Sequence, residues 1–198
     1  MKKHHVVKNG YIEKTIRTSI SPGITVIIGR NGYGKSTFLH SLEMQLEKKK
    51  LPYVFWSDNK YGRENGRELM IYGDNMEGLA SMTCRSEGES ILASFGNFFM
   101  QRAGRTVRKC TENNNTELFF FIDQMDSGLD IYQIDDIKRI IRDTIIPDLK
   151  KRGITGYFLV TANSYEVVDG EDCLDPVTGK HYSFNSLSEY REYIKSLY

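Results

Sequence analysis

The chain has 198 residues, of which 39% are apolar, and its 27 lysines and arginines nearly balance its 26 aspartates and glutamates. This composition supports a hydrophobic core and excludes general disorder, while a net charge of +1 excludes an overall electrostatic attraction to nucleic acid. The longest apolar runs have about five residues, whereas a membrane-spanning helix needs roughly 20, so no membrane association is expected. Three well-separated cysteines and the lack of an apolar leader favour a cytoplasmic protein with reduced thiols.

The first part of the chain predicts a hairpin followed by a strand, a loop and a helix. Residues 5–8 and 11–20 are predicted as two strands joined at Asn9-Gly10, a dipeptide typical of tight hairpins. The β-branched run at 24–28 predicts a strand that is buried on both faces. A glycine-rich loop and a helix over 35–50 are expected to follow it.

The rest of the chain continues this alternation. Short apolar runs predict three further strands, at 53–57, 118–122 and 154–160. Three further segments are predicted as helices: 87–102, 131–150 and 187–197. Pro147 is expected to kink or shorten the second of these helices. Residues 104–117 are predicted as a polar loop, and residues 175–179 as the turn of a short hairpin.

Strands that alternate with helices predict an α/β fold. Its central sheet is expected to be mainly parallel and flanked by helices. The N-terminal strands and the hairpin over 173–184 are expected to add antiparallel strands.

The residues from Gly29 to Thr37 fit the pattern G-x-x-x-x-G-K-[ST] between the predicted strand and helix. Such a loop turns its backbone N–H groups towards an anion, and the helix N-terminus adds free donors. Lys35 is expected to bind the β- and γ-phosphates of a nucleotide, and Ser36 to offer an oxygen to Mg²⁺. The strand and helix context disfavours a turn that binds nothing. The other loop residues expected at the nucleotide are Arg30, Asn31, Gly32, Tyr33, Gly34 and Thr37.

A carboxylate, Asp123, ends the most apolar predicted strand. Ligands of α/β sheets collect at the carboxyl ends of the strands, and carboxylate oxygens suit Mg²⁺. Asp123 is therefore predicted to bind the metal together with Ser36. The alternative, a carboxylate that only caps a helix or a turn, is less favoured because the phosphate loop is present.

These motifs together resemble a known family. Asp123 to Asp130, DQMDSGLD, resembles the Walker B and D-loop block of ABC-type ATPases, and Asp126 is closer to the SMC and RecF branch. The sequence GRNGYGKST resembles the Walker A loop of that branch, and RSEGE at 85–89 resembles the ABC signature. The resemblance spans about residues 20–165, and small stand-alone members from phage and mobile-element genomes are similar in size. It implies a P-loop NTPase fold.

The resemblance also implies how the chain is organised. Residues 1–198 would form a single ATP-binding domain, in which residues 58–103 are a reduced helical subdomain that carries the signature. Only 50 residues lie between Lys35 and Ser86, which excludes an SMC-type coiled-coil arm.

The family assembles as an ATP-sandwich dimer, so the resemblance implies an ATP-induced dimer here. Ser86 and the Gly88 backbone of one subunit would contact the γ-phosphate bound by the other, and Asp130 of the D-loop would lie at the nucleotide. The partner is either a second copy or a different chain. Ser86 and Glu89 also fit an ordinary helix capping box, so that alternative stays open.

Two positions depart from the family pattern in the same direction. Gln124 stands where the family has its catalytic carboxylate, and Asn163 stands where it has its switch histidine. An amide can orient a water molecule but cannot take its proton. We therefore expect ATP binding with slow hydrolysis, and Asp126 and Glu166 are the alternative bases.

Two function classes remain. The first is a slow ATP hydrolase in DNA maintenance, replication or defence, whose basic segment from Arg102 to Lys109 binds nucleic acid. The second is a switch that does not hydrolyse ATP, in which ATP binding closes a dimer that recruits a partner protein. The basic segment also fits a solvated surface. A small-molecule kinase is disfavoured because the block from Gln124 to Asp130 has no role in kinases.

Overall fold

A computed structural model describes residues 3–8, 15–57, 95–96 and 102–198. Its strands are β1 (Lys3–Lys8), β2 (Thr15–Ile20), β3 (Gly23–Ile27), β4 (Tyr53–Ser57), β5 (Glu117–Asp123), β6 (Thr155–Thr161), β7 (Asp172–Leu174) and β8 (His181–Tyr182). Its α-helices are α1 (Lys35–Lys48), α2 (Gly104–Glu112), α3 (Ile131–Ile140), α4 (Ile146–Lys151), α5 (Tyr165–Val168) and α6 (Leu187–Ser196). The predicted helix over 87–102 and the helical subdomain over 58–103 lie largely outside these residues.

The fold is α/β with a mainly parallel central sheet, as the sequence predicts. Six strands are ordered β4-β5-β6-β3-β7-β8, and only β8 runs antiparallel to its neighbour. Strands β1 and β2 pair in a separate antiparallel sheet. The central strands are largely apolar along their length, which is typical of parallel sheets, because helices cover both faces of such sheets.

Both faces of the sheet are packed. On one face, Phe119 and Phe121 of β5 contact the cluster that contains Phe38 and Leu42 of α1. On the other face, Phe120 of β5 belongs to a cluster with residues from α2, α3 and α4. Each fully buried Phe contributes about 1.5–3 kcal/mol. This packing fixes the carboxyl ends of β3, β5 and β6 at one edge, where the candidate site lies.

The predicted loop over 104–117 is wrong, because residues 104–112 form α2. Ala103 and Cys110 are buried at helical spacing and pack against the core, with Val107 partly buried beside them. Arg105 and Arg108 are exposed on the other side of the helix. The many polar residues of the segment concealed this amphipathic pattern in the sequence.

The N-terminal hairpin forms, but its predicted tight turn is wrong. The register pairs Lys8 with Thr15, so six residues separate the paired ends instead of Asn9-Gly10 alone. Residues 9–14 lie outside the described part of the chain.

Pro147 is predicted to kink or shorten its helix, and the regular α-helix α3 does end before it, at Ile140. The helical backbone continues from Ile131 to Lys151, and a π-helical segment, Ile141–Ile145, joins α3 to α4. Pro147 lies in the first turn of α4, directly after this π-helical segment, and it has no N–H group to donate to the preceding turn. Among the described residues, no helix combines the length and apolar character that crossing a bilayer requires.

Candidate functional site

The glycine-rich loop connects the central strand β3 to α1. Gly29, Gly32 and Gly34 have φ angles of 144°, 75° and 95°, which L-residues with side chains rarely adopt. At Gly29 an added Cβ would lie 2.3 Å from the Cδ1 atom of Tyr33. The loop therefore depends on its glycines, and it leads directly into the N-terminus of α1, where the first backbone N–H groups have no partner within the helix.

Lys35 is the cation of this loop. Its side chain is largely buried, and its Nζ atom donates to the carbonyl oxygens of Gly29 (2.7 Å) and Arg30 (3.2 Å) and to Oδ1 of Asn163 (2.8 Å). Burial lowers the pKa of Lys35, and the negative charges of Asp126 and Asp123 oppose this shift. The ammonium group is thus held between the loop and the end of β6.

Asp123, the last residue of β5, connects the first turn of α1 to the end of β6. Its Oδ1 atom accepts hydrogen bonds from Ser36 Oγ (3.0 Å) and Thr161 Oγ1 (2.5 Å), and the Asp123 side chain is buried. The backbone N–H of Gln124 donates to Thr161 Oγ1 at 2.7 Å. The adjoining hydroxyl and carboxylate are hard oxygen donors of the kind that Mg²⁺ prefers, so Ser36 and Asp123 fit a magnesium site. Within the described ranges, no cluster of three His, Cys, Asp or Glu residues could hold a metal by itself.

A cleft of about 230 Å³ lies over the loop. Gln124 enters it from the end of β5, with a φ of 57° that is rare outside glycine. Asn163 enters it from the end of β6. Among the described residues that line the cleft there is no carboxylate. The lining residues are Asn31, Gly32, Tyr33, Gly34, Lys35, Ser36, Thr37, Gln124, Thr161, Ala162 and Asn163.

Asp126 and Glu166, the alternative bases, do not line this cleft. Oδ2 of Asp126 accepts hydrogen bonds from the backbone N–H groups of Asn163 and Ser164, both at 2.7 Å. Glu166 lies in α5, where its carbonyl oxygen accepts a bond from Lys138 at 2.9 Å. The contacts of Asp126 span 37 residues of sequence, so no local pattern could have revealed them.

Other residues expected at the nucleotide lie elsewhere in the structure. Asp130 is exposed and caps α3: its side chain accepts from the Gln133 N–H at 2.9 Å, and the Gln133 side chain accepts from the Asp130 N–H. The guanidinium of Arg30 lies 4.8 Å from the centre of the Tyr198 ring. Neither residue lines the cleft, so their contacts with nucleotide stay predictions. Ser86 and Gly88 lie outside the described residues.

The C-terminal hairpin supports the loop in a way that the sequence did not predict. The Ile28 N–H donates to the Leu174 carbonyl at 3.0 Å, which joins the start of the loop to β7. The next residue, Asp175, is buried and accepts from the N–H groups of Val177 (2.8 Å) and Thr178 (3.1 Å). Burial and the Asp175 charge raise the pKa of Tyr33. The turn predicted at 175–179 therefore lies against the phosphate loop.

Comparisons with known proteins add little to this geometry. The sequence matches no model of a protein family and no curated protein. Among solved structures, Cdc6p from Pyrobaculum aerophilum matches with a TM-score of 0.36 and 18% identity, over 79% of this chain and 36% of that chain. At this TM-score the likeness does not bear on the function of the chain.

Proposed function

We propose that the chain is an ATP-binding P-loop protein of the ABC type, closest to the SMC and RecF branch, that hydrolyses ATP slowly. One observation carries the proposal. Lys35 of the loop donates to the Asn163 side chain beyond β6, while Asp123 at the end of β5 accepts from the neighbouring Ser36 and from Thr161 of β6. These are the positions at which the sequence resembles the two Walker motifs and the switch.

The cleft suits a polyphosphate. It combines the Lys35 ammonium, the loop backbone and the N-terminus of α1, all of which attract anions. Because Lys35 now donates to two carbonyls and an amide, a phosphate would share or replace these acceptors. Adenine is proposed from the resemblance to the ABC-type ATPases, and the lack of a guanine-reading segment of the N/T-K-x-D type agrees with it.

Mg²⁺ would be held by Ser36 and Asp123 together with the phosphates. When bound, it neutralises the negative charge that phosphoryl transfer develops. The residues of the chain then have three tasks: Lys35 binds the phosphates, Asp123 orients the Ser36 and Thr161 hydroxyls, and Gln124 is placed to orient a water.

Slow hydrolysis follows from the amides in the cleft. Gln124 and Asn163 can position water through hydrogen bonds, but neither can accept its proton as a general base. General-base catalysis typically contributes about 10²–10⁴-fold. We therefore infer a long-lived ATP-bound state, which also favours the second candidate, a switch that closes on ATP without hydrolysing it.

The ATP-sandwich dimer and the link to DNA maintenance, replication or defence are also proposals. The dimer rests on the resemblance of Ser86 and Gly88 to the ABC signature. The nucleic-acid partner is supported by α2, where Arg105, Arg108 and Lys109 are exposed opposite the buried Cys110. A helix face of this kind can neutralise several backbone phosphates.

The test measures molar mass by light scattering with and without ATP and Mg²⁺, and follows phosphate release in the same sample. Lys35→Ala should abolish the response, whereas Lys48→Ala at the exposed end of the same helix should leave it unchanged. A dimer with slow phosphate release supports the proposal, and a dimer with none supports the switch.

Three outcomes would contradict parts of the proposal. Rapid phosphate release would contradict slow hydrolysis. A monomer that binds ATP would contradict the homodimer. A wild-type chain that binds no ATP would overturn the proposal as a whole.

A further inference from the structure

Asp126 makes a contact that the proposed ATP chemistry does not yet explain. It is partly buried three residues after Asp123, in the turn between β5 and α3, and it lies outside the lining of the cleft. One of its oxygens, Oδ2, accepts two backbone N–H bonds of 2.7 Å each, from Asn163 and Ser164. Two adjacent N–H groups on one carboxylate oxygen form a charge-assisted clamp.

The turn after β6, which Asp126 holds, includes Asn163, whose side chain lines the cleft. The backbone N–H of Asn163 is held by Asp126, while its side-chain Oδ1 accepts the bond from Lys35 Nζ at 2.8 Å. Asp126 is therefore connected to the phosphate-binding cation through one residue. A shift of the turn would move the Asn163 amide away from Lys35.

The segment that bears Asp126 is itself fixed to the end of β6. The Gln124 N–H donates to Thr161 Oγ1 at 2.7 Å, and the Met125 N–H donates to the Thr161 carbonyl at 3.0 Å. With the two bonds of Asp126, four hydrogen bonds join residues 124–126 to residues 161–164. Gln124 and Asn163 thus face the cleft from two segments that are fixed to each other.

We propose that Asp126 is a positioning residue, which holds the turn after β6 so that the Asn163 amide meets Lys35 and the bound phosphates. The proposal rests on the proposed ATP chemistry of the same site. It assigns Asp126 a different role from that of a general base, because its Oδ2 is engaged by two donors and its side chain does not line the cleft.

The two roles predict opposite orders of activity for two variants. In Asp126→Asn the amide oxygen still accepts both N–H bonds but has no basic carboxylate. In Asp126→Glu the carboxylate remains, but an extra methylene displaces it from the turn. Positioning predicts that the Asn variant hydrolyses ATP faster than the Glu variant, and a general base predicts the reverse.

A double-mutant cycle separates positioning through Asn163 from a general structural effect. ATP affinity and the single-turnover rate of phosphate release are measured for Asp126→Ala, Asn163→Ala and the double variant. Each single change should lower the rate by a factor on the order of ten to a hundred, as small displacements in active sites do. The double variant should lose no more than the larger single loss, because both residues act through one group.

Asp135→Ala removes an exposed carboxylate of α3 and should leave both quantities unchanged. The positioning role would be overturned by additive losses in the cycle. It would also be overturned if Asp126→Glu hydrolysed ATP faster than Asp126→Asn. If Asp126→Ala does not fold, the order of the Asn and Glu variants still decides. If the wild type releases no phosphate, the ATP affinities of the same variants are compared in the double-mutant cycle instead of their rates. A wild type that binds no ATP refutes the proposed function itself.

Discussion

The backbone of Gln124 adopts the left-handed conformation, with a φ of 57°, at the point where the chain leaves β5 for the cleft. A non-glycine residue stays in this region only when its surroundings hold it, and here the Gln124 N–H is bound to Thr161 Oγ1. The side chain is therefore presented to the cleft by a fixed backbone. A single exchange of amide for carboxylate at this position changes chemistry with little change in shape.

Gln124→Glu should accelerate hydrolysis. The new carboxylate can accept the proton of a water that the glutamine only orients, and we expect a gain of about 10²–10⁴-fold, the range of general-base catalysis. Multiple-turnover phosphate release at saturating ATP and Mg²⁺ measures it. Gln45→Glu in α1, whose side chain bonds its own helix, is the control and should not change the rate. An unchanged rate in the Gln124 variant would show that proton abstraction does not limit hydrolysis.

Among the helices and strands, those that a local apolar pattern determines were predicted correctly, whereas one that depends on packing against the sheet was missed. The strand around Phe119 to Ile122 and the helix beginning at Lys35 follow from apolar runs and spacing, and both are found as predicted. The helix α2 was missed because its buried face consists of small or modest side chains, Ala103, Val107 and Cys110, among many polar ones. Burial against β5 stabilises it, which the segment alone does not reveal.

The exposed face of α2 should bind nucleic-acid phosphates. Arg105→Glu combined with Arg108→Glu should weaken the binding of DNA and reduce its salt dependence by about two units of log–log slope, since each phosphate contact contributes about 0.9. Binding is measured by fluorescence anisotropy over a salt series, with ATP and Mg²⁺ present. Lys150→Glu with Lys151→Glu in α4 reverses the same number of charges on another exposed helix. Equal losses in both pairs would mean that net charge, not this face, determines binding.

A second feature at the element scale is the buried Lys138 of α3. Its Nζ atom donates to the carbonyl oxygens of Glu166 (2.9 Å) and Asp169 (2.8 Å) and lies 3.7 Å from Oε1 of Glu171. Arg142 donates to the same Glu171 oxygen at 2.5 Å. Burial raises the pKa of Glu171 above its ordinary value, and the charges of Arg142 and Lys138 oppose the shift. The cluster connects α3 to α5 and the start of β7.

Lys138→Met should destabilise the fold, by about 1–3 kcal/mol for each of the two carbonyls that lose their donor. It also removes one of the two cations beside the buried Glu171 carboxylate, which keeps Arg142. A carboxyl group with a raised pKa in the folded state stabilises the protein when it is protonated, and this contribution is lost as pH rises through that pKa. Removing Lys138 raises the pKa of Glu171 further, so the cost should be larger at pH 7 than at pH 4. Urea denaturation at both pH values tests this, with Lys150→Met as the exposed control. An equal cost at both values would contradict the account.

At the scale of the whole molecule, the site combines parts of the chain that are distant in sequence. The loop around Lys35 and the carboxylate Asp123 could be predicted because each has a local signature, a glycine pattern or a strand end. The contacts of Asp126 with Asn163 and of Asp175 with the region of Tyr33 could not, because they depend on which strands are neighbours. The order β4-β5-β6-β3-β7-β8 determines those neighbours.

Asp175→Ala should weaken both the fold and ATP binding. It leaves the N–H groups of Val177 and Thr178 without their acceptor, at a cost of about 1–3 kcal/mol, and it loosens the hairpin against the loop. We expect a lower melting temperature and a several-fold weaker ATP affinity, measured by calorimetry. Glu192→Ala, an exposed carboxylate of α6, should change neither. A destabilised variant with unaltered affinity would show that the hairpin does not support the loop.

The strand order also has a consequence for synthesis on the ribosome. Strand β3 leaves the ribosome long before its two partners in the sheet, which are residues 155–161 and 172–174. Until these have emerged, both edges of an apolar strand lack hydrogen-bond partners, which is the condition under which nascent chains aggregate or recruit chaperones. The phosphate loop that follows β3 gains its native support equally late. If the chain binds ATP as proposed, the nucleotide can stabilise only chains that already include residues 172–174 and cannot assist earlier stages of folding.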